Sequence, residues 1–149
     1  MEKLRGKKMT YKELLEKQKE ETNQMVKDDK IMYFIGDSKA IQRKMEDKGV
    51  TEDQLVYIGA GAYIKKDCYD EVNGMFDRHA EEQRQYALTN TYEVVQHYCW
   101  DYEMAISISY TYNDIIHMFV GLTKDEALER KDEINRAIKD YETEFYKIN

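Results

Sequence analysis

The chain has 149 residues, a length that suits one domain and can bury a sizeable hydrophobic core. Its net charge is −7, which divides into +3 over residues 1–50 and −10 over residues 51–149. Proteins that bind nucleic acid gain much of their affinity from Lys and Arg side chains that neutralise phosphates, so this balance argues against direct nucleic-acid binding. Apolar runs stay well short of the about 18–20 residues that a membrane helix needs, which excludes a membrane span.

Cys68 and Cys99 are the only cysteines, and no apolar signal segment follows the first residues. Thiols stay reduced in the cytosol, where disulfides are rare. We therefore expect a cytoplasmic protein with free thiols. No cofactor-binding motif is present, so no cofactor is predicted.

The fold predicted from the sequence is α+β, with a small sheet of three or four strands packed by long helices. Residues 1–9 are basic and without pattern, which predicts a flexible leader before a single domain over residues 10–149. Thr10 and Glu13 have the spacing of a capping box, and an apolar stripe then predicts a first helix that ends near Lys27.

Two apolar runs, Ile31–Ile35 and Gln54–Ile58, are typical of strands that are covered on both faces. Between them, Asp37 or Ser38 can cap a short helix, and Gly49 suits the left-handed residue after its end. This order favours a parallel βαβ unit, with a helix-linked antiparallel pair as the alternative. A further strand over residues 62–65 follows as a hairpin partner or a bulged continuation.

A three-or-four spacing of apolar residues predicts one long helix from Asp67 to about Tyr98. Three poor helix formers at residues 89–91 are its weak point and could divide it. Residues 104–112 alternate between apolar and polar side chains, as a half-exposed strand does. Thr123 and Glu126 form a second capping box before a closing helix, whose apolar seam packs in the core or forms a homodimer contact.

The stretch from Gln85 to Thr123 contains no Lys or Arg but many aromatic and acidic residues. Tyr and Trp are enriched at the centres of protein interfaces, and acidic residues can steer a basic partner. Burial of these aromatic side chains in the core is the alternative. The predicted partner-binding residues are Tyr98, Trp100, Asp101, Tyr102, Glu103, Tyr110 and Tyr112.

Two glycine turns suggest a small-ligand site as the alternative. If the first two strands are parallel, both turns lie at one edge of the sheet, where backbone N–H groups can receive an anion. The turns lack the third glycine of a dinucleotide fingerprint and the Gly-Lys-Ser/Thr of a P-loop. The residues of this nucleotide-like site are Gly36, Asp37, Ser38, Gly59, Gly61, Tyr63, Lys65 and Lys66.

The sequence signals for a metal site or a catalytic residue are weaker than those for the two binding sites. The ligand types of a metal site occur at His79, His97, His117, Cys99, Asp101 and Glu93, but no spacing reproduces a known site, so no metal is predicted. Cys68 follows two lysines at a predicted helix start, a position that can lower a thiol pKa. A lone cysteine of this kind is more often inert, and no catalytic residue is predicted.

Two segments are similar to segments of known proteins: YIGAGAYIKKD at residues 57–67 and GLTKDE at residues 121–126. Over about residues 55–130 the chain resembles small phage and prophage proteins of low-GC Gram-positive bacteria to which no activity is attached. Small phage proteins without enzymatic motifs often bind and block a host factor or a defence component. The resemblance therefore implies a bacterial protein as partner and the host cytoplasm as location.

The leading function is thus a non-enzymatic binding protein that inhibits a bacterial host or defence protein through the acidic, Tyr-rich surface. Sequestration of a nucleotide-like ligand is the alternative, and an enzyme of unrecognised type comes third.

Overall fold

A computed structural model describes residues 8–101 and 121–148 of the chain. Within these ranges it contains six α-helices and one small antiparallel sheet, so the α+β prediction is confirmed. The predicted strand over residues 104–112 lies outside the described residues. The helices are α1 (Tyr11–Lys27), α2 (Ser38–Asp47), α3 (Tyr69–Thr89), α4 (Thr91–Asp101), α5 (Lys124–Glu129) and α6 (Lys131–Ile148). The strands are β1 (Ile31–Tyr33), β2 (Leu55–Gly59) and β3 (Ala62–Lys65).

The chain divides into two compact units. Unit 1 consists of Met1–Leu15 and His79–Asn149, and unit 2 consists of Glu16–Arg78. Helices α1 and α3 each contribute residues to both units, and one domain over residues 10–149 stays a prediction. No helix in the described ranges combines the length and the apolar character that crossing a membrane requires.

Three predicted helix starts are confirmed, whereas α3 begins at Tyr69 and not at the predicted Asp67, which lies in a short 3-10 turn before it. The backbone N–H of Thr10 donates to Glu13 and that of Glu13 to Thr10 Oγ1, and Thr123 and Glu126 form the same pair of bonds. Asp37 accepts from a backbone N–H of α2 at 2.8 Å. These bonds satisfy amide groups that the first turn of a helix otherwise leaves unpaired.

Helix α2 ends in a Schellman motif. Gly49 has φ +71° and donates its backbone N–H to the carbonyl of Glu46, while Val50 donates to that of Met45. Val50 and Met45 are also buried in one apolar cluster, which is the contact that usually accompanies this motif. The chain therefore leaves α2 in a fixed direction towards β2.

The strand order in unit 2 is β1-β3-β2, and both neighbouring pairs are antiparallel. Strands β1 and β2 consequently run in the same direction, as the sequence predicts. The predicted parallel arrangement of strand, helix and strand is therefore found, with β3 inserted between the two strands. A tight turn after β2 reverses the chain, and β3 pairs with β2 on one side and with β1 on the other.

The β2–β3 turn has two central residues, Ala60 and Gly61, with φ of +53° and +79°. Positive φ at both positions is the requirement of a type I′ hairpin turn. A bulge between Tyr57 and Gly59 interrupts the ladder immediately before the turn. The hairpin interpretation of residues 62–65 is therefore confirmed, with a bulge in its first strand.

The two faces of the sheet pack against different helices. Ile31 and Ile64 are buried with Val72 of α3, whereas Met32 and Phe34 are buried with residues of α2 and of the start of β2. The prediction that Ile31–Ile35 is covered on both faces is wrong at Tyr33 and Ile35, which are exposed. The same prediction for residues 54–58 is wrong at the end of β2. The exposed fractions of Tyr57 and Ile58 there are 59% and 43%.

The core of unit 1 lies mainly between α4 and α6, and it buries Ile134, Ile138 and Tyr141 of the predicted apolar seam. These three side chains are therefore not available for a homodimer contact. The long helix is divided at Asn90, within the weak point that the sequence indicates. There the side chains of Asn90 and Thr91 donate to the carbonyls of Tyr86 and Ala87.

The closing helix is also divided, at Arg130, which the sequence analysis does not predict. The Nε of Arg130 donates to the Leu88 carbonyl at 2.9 Å and its Nη1 to the Glu126 carbonyl at 2.8 Å. Carbonyls in the last turn of a helix lack backbone partners, and Arg side chains are suited to bind them. The chain bends where this arginine reaches the ends of α3 and α5.

The hairpin turn yields a stability prediction. Replacing Ala60 by Asn should raise the free energy of unfolding by about 0.5–1 kcal/mol, because Asn tolerates a positive φ and Asn-Gly is a favoured pair for this turn. Replacing Gly61 by Ala should lower it, because the new Cβ would lie 2.7 Å from Ile35 Cγ1. Urea unfolding of the two variants and the native protein measures both changes. An Ala60→Asn variant that is less stable than the native protein would contradict this account.

Candidate functional site

Of the predicted partner-binding residues, the structure describes the side chains of Tyr98 and Trp100. Tyr98 is buried, and its hydroxyl lies 2.6 Å from that of Tyr11. The exposed fraction of Trp100 is 38%, its Nε1 donates to Gln96, and its ring meets the ring of Tyr141 edge-on at 4.7 Å. Trp100 is therefore accessible to a partner, whereas Tyr98 is not.

The side chains of the other predicted partner-binding residues are outside what the structure describes. Asp101 is the last residue of α4. Tyr102, Glu103, Tyr110 and Tyr112 lie outside the described residues. The predicted acidic, Tyr-rich surface is thus represented in the structure by Trp100.

Glu93 has a structural role at the start of α1. Its carboxylate accepts from the backbone N–H of Tyr11 at 2.7 Å and from the Tyr86 hydroxyl at 2.6 Å. Burial and this carboxylate raise the pKa of Tyr86, which keeps the phenol protonated. Within the described ranges, no three His, Cys, Asp or Glu residues lie close enough together to hold a metal ion.

The two predicted glycine turns do meet. The backbone N–H of Phe34 donates to the Gly61 carbonyl at 2.8 Å, and Ile35 packs directly over Gly61. Gly36, with φ +133°, then leads to Asp37, which caps α2. The sequence prediction that both turns share one edge of the sheet is therefore correct.

The predicted lysines do not join this edge. Lys65 pairs with Leu55 at the start of β2, at the far end of β3 from the hairpin turn. Four residues of strand separate the two ends by about 10 Å. Lys65 and Lys66 instead line a separate cavity that also contains Asp53 and Asp67, whose carboxylates would oppose a phosphate.

Tyr63 stays with the rest of the predicted site. It lies in β3 two residues after Gly61, and it lines one cavity with Ser38. The structure therefore brings the predicted residues together except for Lys65 and Lys66. The edge that was predicted to receive a phosphate has no lysine from this set.

The same edge carries a different feature, which we call the sheet-end patch: Tyr33, Ile35, Tyr57 and Ile58. Their exposed fractions are 52%, 63%, 59% and 43%. Ile35 and the Tyr57 hydroxyl both contact Gly61, so these two side chains meet at the hairpin turn. Large apolar groups that remain exposed together are typical of interaction sites.

Hydrogen bonds hold the backbone beneath the sheet-end patch. Lys44 Nζ donates to the Ile35 carbonyl at 2.6 Å, and the Gly61 N–H donates to the Tyr57 hydroxyl at 3.3 Å. The ring of Tyr57 also lies 4.9 Å from that of Tyr63. The patch is therefore presented by an ordered strand end and a tight turn.

Next to Tyr57, an open cavity of about 570 Å³ lies between α2, the segment that follows it, and Tyr63. We call it the acidic groove. It is lined by Ser38, Ile41, Gln42, Met45, Glu46, Val50, Thr51, Glu52 and Tyr63. Its base is apolar and its rim contains two glutamates, and no Lys, Arg or His lines it.

The sequence analysis missed both surfaces because it treated the apolar runs as covered strands. At the ends of these runs, Tyr33, Ile35, Tyr57 and Ile58 are exposed instead.

Comparison of the chain with protein-family models, with curated proteins and with solved structures finds no match. The basis for a function is therefore the chemistry of the described side chains. The sheet-end patch and the acidic groove both lie in unit 2 and share a border at Tyr57 and Tyr63.

The thiols give no support to covalent catalysis. Burial and the carboxylate of Asp67 raise the pKa of Cys68, which is the opposite of the shift that a helix start with neighbouring lysines suggested. Burial raises the pKa of Cys99 to about 12. A raised pKa leaves less thiolate, the nucleophilic form, at neutral pH.

Alkylation tests this assignment. With iodoacetamide at pH 8, both cysteines of the folded protein should react more slowly than free cysteine, because less than the usual fraction of each thiol is ionised. In urea both should react at the free rate. Peptide mass spectrometry measures each site separately. Faster reaction of Cys68 in the folded protein than of free cysteine would restore the nucleophile hypothesis.

Proposed function

We propose that the protein is a non-enzymatic binding protein that holds a partner protein against the sheet-end patch. The observation that carries the proposal is the exposure of four large apolar side chains around one hairpin turn. Tyrosine supplies a large rigid area with a polar tip, which favours its use as an interface anchor. Tyr33 and Tyr57 provide two such anchors, and Ile35 and Ile58 provide apolar area beside them.

The backbone beneath the patch is held in one conformation, which supports a role in binding. The turn conformation, the Lys44 bond to the Ile35 carbonyl and the β1–β3 pairing fix the backbone at this end of the sheet. Binding of a partner there orders the patch little further, so little conformational entropy is lost and the affinity for a given area is higher. The described residues offer no comparable arrangement for catalysis.

The resemblance to phage and prophage proteins supplies the class of partner. We propose a bacterial host or defence protein in the cytoplasm, whose activity is blocked when the sheet-end patch covers it. This part of the proposal rests on the resemblance alone. Identification of the partner therefore comes first in its test.

Capture with tagged native protein from a lysate of a low-GC Gram-positive bacterium, followed by mass spectrometry, identifies the partner. Its affinity is then measured for the Ile35→Ser/Tyr57→Ala variant. We expect about 30-fold weaker binding, equal to about 2 kcal/mol, because one tyrosine anchor and the most exposed apolar side chain of the patch are removed. Faster dissociation should account for most of the loss.

Leu128→Ser is the matched control, because the exposed fraction of Leu128 is 60% and it lies in unit 1. Its affinity and the melting temperatures of both variants should stay close to native values, since exposed substitutions change stability little. A Trp100→Ala variant measures the surface predicted from the sequence. Native affinity in the Ile35→Ser/Tyr57→Ala variant would remove the sheet-end patch from the proposal, and a loss confined to Trp100→Ala would move binding to that tryptophan.

A further inference from the structure

The acidic groove has the form of a site for a side chain. Its base is formed by Ile41, Met45, Val50 and Tyr63, and its volume of about 570 Å³ lies within the roughly 300–1,000 Å³ of ligand pockets. Met45 contributes a flexible thioether, which adapts to apolar groups of different shape. The base therefore suits an apolar side chain that is inserted from outside.

The rim of the groove determines the charge of what enters. Glu46 and Glu52 are exposed, and neither carboxylate forms an ion pair with a residue in the described ranges. None of the nine lining residues is basic. Opposite charge across an interface speeds association and selects the partner, so the rim favours lysine or arginine and opposes phosphate or carboxylate.

The groove also continues the sheet-end patch. The ring of Tyr63, which forms one wall, lies 4.9 Å from the ring of Tyr57. A partner chain that covers Tyr57 can therefore extend into the groove without leaving the surface. This continuity favours a segment of the same partner over an independent small molecule.

We infer that the acidic groove binds a basic segment of the partner protein, which inserts an apolar side chain over Met45 and Tyr63 and places Lys or Arg at Glu46 and Glu52. The inference rests on the proposed function, because the segment belongs to the protein that covers the sheet-end patch. It adds the chemistry of the sequence that is recognised: an apolar residue with basic neighbours.

Fluorescence anisotropy with three short labelled peptides tests the chemistry without the partner. One alternates Lys with Leu, one alternates Glu with Leu, and one alternates Lys with Ser. The Lys–Leu peptide should bind the full-length protein most tightly. Added salt should weaken this binding, since exposed charges are screened. Equal binding of the Lys–Ser peptide, or tighter binding of the Glu–Leu peptide, would overturn the inference, as would failure of the Lys–Leu peptide to bind.

The site is tested by the Glu46→Gln/Glu52→Gln variant. Its affinity for the Lys–Leu peptide should be roughly five- to tenfold lower, because two exposed ion pairs are lost. The matched control is Glu16→Gln/Glu20→Gln, which removes the same charge from exposed positions on α1 and should change binding less than about twofold. Equal effects of the two variants would show attraction to the acidic protein as a whole and would overturn the site.

Failure of the inference can be separated from failure of the proposed function. If Ile35→Ser/Tyr57→Ala loses the captured partner while Glu46→Gln/Glu52→Gln keeps both partner and peptide, the sheet-end patch stands and the groove assignment is wrong. If the groove variant loses the peptide but the patch variant keeps the partner, the groove is a basic-peptide site and the proposed function is wrong.

Discussion

The exposed surface of unit 2 lies where the helices on the two faces of a three-stranded sheet leave its hairpin end uncovered. Helix α2 packs over Met32, Phe34 and Leu55, and these contacts bury that face of β1 and the start of β2. Tyr57 lies outside this cluster, and its exposed fraction is 59%. Since burying a large apolar side chain is worth about 1.5–3 kcal/mol, leaving several uncovered is a considerable loss of folding energy. These side chains therefore add little to the stability of unit 2.

The hairpin turn fixes the positions of the side chains in this surface. Gly61 has no side chain, and Ile35 therefore packs against its backbone, at a place where a Cβ would lie 2.7 Å from Cγ1. The same glycine donates to the Tyr57 hydroxyl and accepts from the Phe34 N–H. One small residue thus connects β1 with the hairpin, and the apolar groups on either side keep fixed positions relative to each other within unit 2.

Local signals were sufficient for much of the fold. Thr10 with Glu13, Asp37 and Thr123 with Glu126 were predicted correctly because each capping partner is three residues away. The division at Arg130 was missed because its side chain binds the carbonyl of Leu88, 42 residues earlier. The exposure of Tyr57 and Ile58 was missed for the same reason: whether an apolar residue is covered depends on a distant element. The candidate surface could therefore not be derived from the sequence alone.

The bulge in β2 also protects the unpaired outer edge of this strand. Among the described strands β2 lies at the edge of the sheet, where free backbone groups can template the addition of further chains. The extra residue between Tyr57 and Gly59 breaks the regular spacing of those groups, and β1 at the other edge has only three residues. Exposed tyrosines and isoleucines are thus combined with strand edges that resist fibrous aggregation. Among the described strands, neither edge of the sheet thus offers a long regular row of free backbone groups to a further strand.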